Sequence, residues 1–387
     1  MTVKIEDYFP RATFQKMKAF ADQHETPFVV IDTETISKAY DDLRAGFEFA
    51  KVYYAVKANP AVEIIDLLRD KGSSFDIASI YELDKVMSRG VGPERISYGN
   101  TIKKSRDIRY FFEKGVRMFA TDSEADLRNI AKAAPGAKVY VRILTEGSTT
   151  ADWPLSRKFG CQTDMAMDLL ILARQLGLEP YGISFHVGSQ QRDISVWDAA
   201  IAKVKVIFER LKEEDGIELK MINMGGGFPA NYITRTNSLE TYAEEIIRFL
   251  KEDFGDDLPE IILEPGRSLI ANAGILVSEV VLVARKSRTA VERWVYVDVG
   301  KFSGLIETMD ESIKFPIYTE KKGEVEEVVI AGPTCDSADI MYENYKYGLP
   351  LNLAAEDRLY WLSTGAYTTS YSAVEFNGFP PLKAYYI

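Results

Sequence analysis

The chain has 387 residues, 46% of them hydrophobic, with a formal net charge of −11. That is room for about two to three domains and a large core, and the negative balance argues against nucleic acid and anionic membrane as partners while mildly favouring cationic ligands. Two cysteines (Cys161, Cys335) outside any metal-ligand spacing, two histidines (His24, His186), no apolar leader and no apolar run long enough to span a membrane lead us to expect a cytoplasmic protein without a metal site.

In chain order, residues 12–23 read as a polar helix, 27–32 as a short strand and 36–49 as a helix. Eight apolar runs follow, at 52–56, 74–78, 96–98, 118–120, 138–143, 181–187, 221–224 and 261–264, the first four starting 22 residues apart. Amphipathic segments lie between them, from 61–71 to 239–254. Eight strand–helix units predict an α/β fold, a (β/α)8 TIM barrel over 34–272. An open doubly wound sheet is the alternative; it is disfavoured because the count reaches eight without a switch point. After Arg267 the strand-like runs 274–286, 294–299, 325–331 and 358–363 are joined by turns, predicting a mainly β domain of 273–387 with residues 1–33. The polar stretch 144–158, with Gly147, Ser148, Thr149 and Thr150, reads either as a mobile lid or as an ordinary surface loop.

The barrel expectation has a chemical consequence, because sites in this fold gather at the C-terminal ends of the strands. Unusual polar residues stand there: Lys57 at the end of the first strand, Asp76 in the second, Asn100 after the third, Arg142 in the fifth. His186 ends the sixth, Gly225-Gly226-Gly227 the seventh, and Glu264-Pro265-Gly266-Arg267 the eighth. Taken singly, Lys57 is an ordinary snorkelling lysine and His186 a satisfied core histidine. Together on one rim they read as a site.

Consecutive glycines after a strand expose backbone N–H groups suited to phosphate, and Arg267 offers a charged fork to the same group. His186 offers a face for a flat ring, and Glu264 can accept a hydrogen bond from a protonated ring nitrogen. A lysine able to form a Schiff base, a phosphate nest and a carboxylate for a pyridinium point to pyridoxal phosphate.

The motifs Tyr54-Ala55-Val56-Lys57-Ala58-Asn59, Phe75-Asp76-Ile77-Ala78-Ser79, Ser184-Phe185-His186-Val187-Gly188-Ser189, Gly225-Gly226-Gly227-Phe228-Pro229, Glu264-Pro265-Gly266-Arg267, Gly332-Pro333-Thr334-Cys335-Asp336 and Gly365-Ala366-Tyr367 carry a resemblance. Over nearly its whole length the chain resembles the eukaryotic-type ornithine decarboxylases of the alanine-racemase fold, most of all the bacterial ornithine and lysine/ornithine decarboxylases. The resemblance implies that Lys57 holds the cofactor as a Schiff base, His186 stacks on its ring and Glu264 keeps the ring nitrogen protonated. It implies that Ser189, Gly226, Gly227, Arg267 and Tyr367 hold the phosphate, and that Asp76 and Arg142 support Lys57 and the ring. Cys335 would return a proton after carbon dioxide leaves, and Asp310 and Asp336 would bind the distal ammonium of a small cationic amino acid. It further implies a homodimer with shared active sites, Cys335 and Asp336 serving the partner's site and Lys158 pairing with Asp339 across subunits.

Two departures stand out. Asn223 precedes the glycines where many relatives have aspartate, a change expected to leave phosphate binding intact. Ser337-Ala338 separates Asp336 from Asp339 where animal relatives have Gly-Leu. Diaminopimelate or carboxynorspermidine decarboxylation would call for a basic group after Cys335, and none is evident. A racemase would need a two-base arrangement, and a non-enzymatic decarboxylase-like binding protein would have no need of Lys57, Glu264 and the glycine nest together.

Overall fold

The computed structural model describes residues 3–145, 150–153 and 158–387, which divide into two compact units: Tyr40–Pro229 with Asn237–Gly266, and Met1–Ala39 with Ala230–Thr236 and Arg267–Ile387. In chain order the first strand, β1 (Phe28–Ile31), belongs to the second of these. The first unit is built on β2 (Ala50–Ala55), β3 (Ser74–Ile77), β4 (Ile96–Tyr98), β5 (Met118–Thr121), β6 (Lys138–Arg142), β8 (Glu179–Ser184), β10 (Met221–Asn223) and β11 (Glu260–Leu263), with a side ribbon of β7 (Ala151–Trp153) and β9 (Ser189–Gln191). The eight named first close into a barrel in the order β10-β11-β2-β3-β4-β5-β6-β8, every pair parallel. Each expected apolar run is one barrel strand. The open doubly wound alternative is thereby excluded.

The lumen is filled by side chains from β2, β5, β6, β8, β10 and β11. Tyr53, Met118, Ala120, Tyr140, Tyr181, Met221 and Ile262 form that plug, leaving the opposite, C-terminal mouth for polar groups. The helices outside follow the 3.6-residue period: in Leu239–Phe254 the buried positions are Tyr242, Ala243, Ile246, Phe249 and Leu250. Starts are capped where the sequence supplies a cap. Ser79 Oγ accepts from Glu82 N, and Glu82 in return accepts from Ala78 N at 2.7 Å.

The other unit is an eight-stranded sheet ordered β14 (Ile317–Tyr318), β17 (Arg358–Leu362), β12 (Gly274–Ala284), β13 (Arg293–Val297), β15 (Val325–Ala331), β16 (Ile340–Pro350), with β1 pairing β12 and β18 (Lys383–Tyr386) pairing β1. Its core gathers Phe9, Phe14, Met17, Phe28, Val30, Ile275, Val277, Tyr360 and Leu362. The long β16 escaped the sequence reading because its Tyr-Glu-Asn-Tyr-Lys-Tyr run has no apolar alternation; pairing with β15 makes it a strand. Of the stretch read as a lid or surface loop, 146–149 and 154–157 lie outside the described residues. Ala151–Trp153 between them is a strand paired antiparallel with Ser189–Gln191. Among the described residues no helix is long and apolar enough to cross a membrane, and no group of three His, Cys, Asp or Glu side chains could hold a metal ion.

Candidate active site

Lys57 does not lie in the strand itself. β2 stops at Ala55, and Val56–Ala58 makes one 3-10 turn that leaves Lys57 exposed at the barrel mouth. Tyr54 Oη donates to Asn59 O at 2.9 Å, Asn59 Oδ1 caps Ala61 N, and Ala55 N donates to Pro265 O. These bonds tie the lysine's turn to the end of β11, where Glu264 stands.

Asp76 sits in β3 opposite Ser97 of β4, whose Oγ donates to Asp76 Oδ1 at 3.2 Å. A Cβ at Gly99 would lie 2.0 Å from that oxygen, so glycine is needed for the carboxylate to pass. Burial and the Glu264 carboxylate push Asp76 well above the ordinary carboxyl range, with Lys57 pulling the other way. Glu264 is itself raised by burial, opposed by a hydrogen bond from Asn223 and by Lys57 and Arg142. Two acids and two cations thus share one mouth. Arg142 closes it on the β6 side, its guanidinium 5.0 Å from the Phe159 ring centre.

His186 lies two residues beyond β8. Gly188 N donates to its Nδ1 at 3.0 Å, so Nδ1 is the acceptor. Burial, then Arg142 and Lys57, depress its basicity well below the usual range, so the ring is neutral at physiological pH. The glycine nest faces it. A Cβ on Gly226 would lie 3.4 Å from His186 Nε2 and 2.6 Å from Glu264 O; one on Gly227, at φ +100°, would meet Val187 Cγ2 and Gly188 O. Gln191 N donates to Gly227 O, bringing the ribbon that bears Ser189 to the nest. The Gly226 and Gly227 N–H groups have no hydrogen-bond partner among the described residues, whereas Gly225 N is taken by Asn223. Two unpaired donors, a neutral ring face, a half-buried carboxylate and an exposed lysine fit a flat, phosphate-bearing heteroaromatic carbonyl compound.

The sheet unit holds the remaining expected residues. Arg267 is buried in a bidentate pair with Glu307 (2.7 and 2.6 Å), with Tyr232 Oη at 2.9 Å and the Tyr367 ring 4.7 Å from its guanidinium carbon. Arg267 and Tyr367 are therefore together, while Glu307, which the sequence reading missed, is the arginine's own counter-ion. Asp310 is exposed at φ 52°, followed by Glu311 at φ 53°. Glu311 accepts from the backbone N–H groups of Glu343, Asn344 and Tyr345 at 2.6–2.8 Å, clamping the Asp310 turn to β16.

Cys335 and Asp336 lie on an exposed turn. Asn377 Oδ1 receives Cys335 N, and Asp336 Oδ1 caps Ala338 N. Asp339, read as half of a subunit bridge, is 2% exposed and takes Lys301 N, Thr334 N and Thr334 Oγ1 within its own chain. Gly300 and Gly332 make that possible, since a Cβ on either would lie within 2.5 Å of the carboxylate. Of the supporting residues, Ser97 could have been found as the lone polar side chain in Ile96-Ser97-Tyr98. Glu307, Glu311 and Asn377 carry no local signal.

Comparison with known proteins gives one consistent picture. Residues 33–271 match the family model of the pyridoxal-dependent decarboxylase, pyridoxal binding domain. The lysine/ornithine decarboxylase of Selenomonas ruminantium is 32% identical over 370 residues, covering 95% of this chain and 91% of that one. The lysine/ornithine decarboxylase of Vibrio vulnificus, solved with cadaverine, superposes with a TM-score of 0.88 at 27% identity, covering 98% of this chain and 99% of that one. A structure designated SrLDC, in complex with pyridoxal phosphate and cadaverine, gives 0.87 at 31% identity over 96% of this chain and 93% of its own.

Proposed function

The chain belongs to the pyridoxal-dependent decarboxylases, and from that premise we propose that it converts L-ornithine to putrescine and carbon dioxide, with some conversion of L-lysine to cadaverine. The observation that carries the reading is the barrel mouth, where Lys57, neutral His186, Glu264 and the unpaired N–H groups of Gly226 and Gly227 stand together. Pyridoxal phosphate, when bound, supplies an electron sink for the pair released as a substrate carboxylate departs.

The protein's part is positioning and proton control. Lys57 would hold the cofactor, and its exposure leaves the amine reachable. His186 presents an uncharged ring face. Glu264 would accept the ring N–H, with Asp76 and Arg142 balancing charge beside it. Gly226, Gly227, Ser189, Arg267 and Tyr367 would hold the phosphate. Cys335 Sγ delivers a proton to the carbon that lost its carboxylate, and Asp310 and Asp336 receive the distal ammonium. The exposure of Cys335 and Asp336 supports a homodimer in which these two residues serve the partner's site, in a cytoplasmic enzyme. No arginine or lysine falls within residues 335–339, which disfavours substrates with a distal carboxylate.

The test is carbon dioxide release from ornithine, lysine, arginine and diaminopimelate with added pyridoxal phosphate, alongside a visible absorbance band abolished by borohydride. Ornithine turnover with that band is expected. A band without turnover of any of these, or preference for diaminopimelate, would overturn the proposal.

A further inference from the structure

Asn223, the last residue of β10, is 1% exposed and bonded at both ends of its amide. Its Oδ1 accepts from Gly225 N at 2.9 Å, and its Nδ2 donates to Glu264 Oε1 at 2.5 Å. The orientation is forced. A peptide N–H can only donate, so the oxygen must face Gly225 and the amine must face the carboxylate. Glu264 N in turn donates to Gly225 O at 2.8 Å. The glycine is gripped by the Asn223 side chain on one side and the Glu264 backbone on the other. Gly225 stands at φ +64°, and a Cβ there would lie 2.3 Å from Phe185 O, so the turn has little freedom to move away.

This one side chain therefore touches both the phosphate nest and the carboxylate that faces the ring nitrogen. On the nest side it removes Gly225 N from the set of available donors and leaves those of Gly226 and Gly227. On the acid side it supplies a neutral donor to a carboxylate that already stands in the field of Asp76. It occupies Oε1; Oε2 has no hydrogen-bond partner among the described residues. An aspartate of the same shape would keep the Gly225 bond but bring a second carboxylate to within hydrogen-bond distance of Glu264. Such a pair cannot both ionise at close range and would share a proton.

We propose that Asn223 is a positioning residue acting on both ends of the cofactor, its amide nitrogen orienting Glu264 toward the ring nitrogen and its amide oxygen setting the Gly225–Gly227 turn for the phosphate. The proposal rests on the reading that Glu264 pairs with the pyridoxal phosphate nitrogen.

Dissociation constants measured on the full-length protein separate the two arms. The probes are pyridoxal phosphate, its analogue with the ring nitrogen replaced by C–H, and inorganic phosphate. The parent protein should prefer pyridoxal phosphate over the ring-carbon analogue, and Glu264→Gln should lose that preference. Asn223→Asp should lose about tenfold of it, the scale of one hydrogen bond to a charged group, while inorganic phosphate affinity stays within about threefold of the parent value on the same scale. Asn223→Ala, lacking both arms, should lose the preference and also weaken inorganic phosphate by more than Asn223→Asp does. If Asn223→Asp fails to fold, the Ala variant alone decides through the ratio of the two ring probes. A parent preference kept intact in folded Asn223 variants would overturn the positioning role and leave the Glu264 reading standing. Absence of that preference in the parent, unchanged in Glu264→Gln, would overturn the Glu264 reading and this proposal with it.

Discussion

In the barrel unit Asp76, Arg142, His186 and Glu264 stand half-enclosed at one mouth, and burial together with their mutual fields displaces all four from ordinary titration. In the sheet unit Cys335 and Asp336 ride on an exposed turn, and among the described residues the Asp336 carboxylate does no more than cap Ala338 N. The first set is prepared for chemistry by its own fold. The second has the residue types for chemistry without the enclosure that makes them selective. The contrast teaches that reactive residue types are prepared for chemistry only where their own unit encloses them, and it sets the order in which substitutions should hurt.

The largest effect should come from the barrel side. Lys57→Ala should abolish the absorbance band and nearly all turnover while the fold survives, because an exposed side chain on a turn contributes within about 0.5 kcal/mol to stability. Thermal unfolding and a visible spectrum check both halves, and near-parental rates would sink the assignment. Cys335→Ala comes next: pyridoxal phosphate should bind as before, while carbon dioxide release falls by about 10²-fold or the proton reaches the wrong atom, as expected for loss of a general acid. Product analysis by mass spectrometry distinguishes these, and loss of cofactor binding would count against the role.

Mixing the two inactive variants tests whether the exposed turn serves a second subunit. Random reassortment places one intact site in about half of the dimers, so activity should recover to roughly a quarter of the parent value. No recovery after demonstrated subunit exchange would refute shared sites. Substrate choice should be a gentler discriminator. Ornithine should exceed lysine in kcat/KM by about 10–200-fold, the range one methylene commands, and arginine should be very poor. The small Ser337 and Ala338 leave room for the longer chain, and a lysine value above that of ornithine would reverse the order.

The smallest effect concerns the clamp beneath Asp310. Burial raises Glu311, but the N–H groups of Glu343, Asn344 and Tyr345 outweigh it, and its carboxyl sits below the ordinary value of 4.5. A folded value below the unfolded one stabilises the protein above about pH 4.5, and that stabilisation is lost as pH falls through the lower folded value. Glu311→Gln should cost about 1–3 kcal/mol at neutral pH and flatten the fall of the urea midpoint as pH drops below about 4.5. An unchanged pH profile would show that the clamp is not ionic.

Much of this protein was determined locally. The eight barrel strands were legible because each is a short apolar run between turn residues, and a buried parallel strand needs nothing more distant to be recognised. The rim residues followed, since strand ends are set by the same pattern, and Gly225-Gly226-Gly227 carries its backbone freedom in its composition. What tertiary structure alone decided lies in side chains whose partners are far along the chain. Asn223 reaches Glu264, 41 residues away, Arg267 pairs with Glu307 across 40, and Glu311 clamps backbone more than 30 residues on. Asp339 turned inward because Gly300 and Gly332 admit its carboxylate. Hydrogen bonds and ion pairs depend on distances of a few ångströms between atoms, and those distances exist only once the chain has folded.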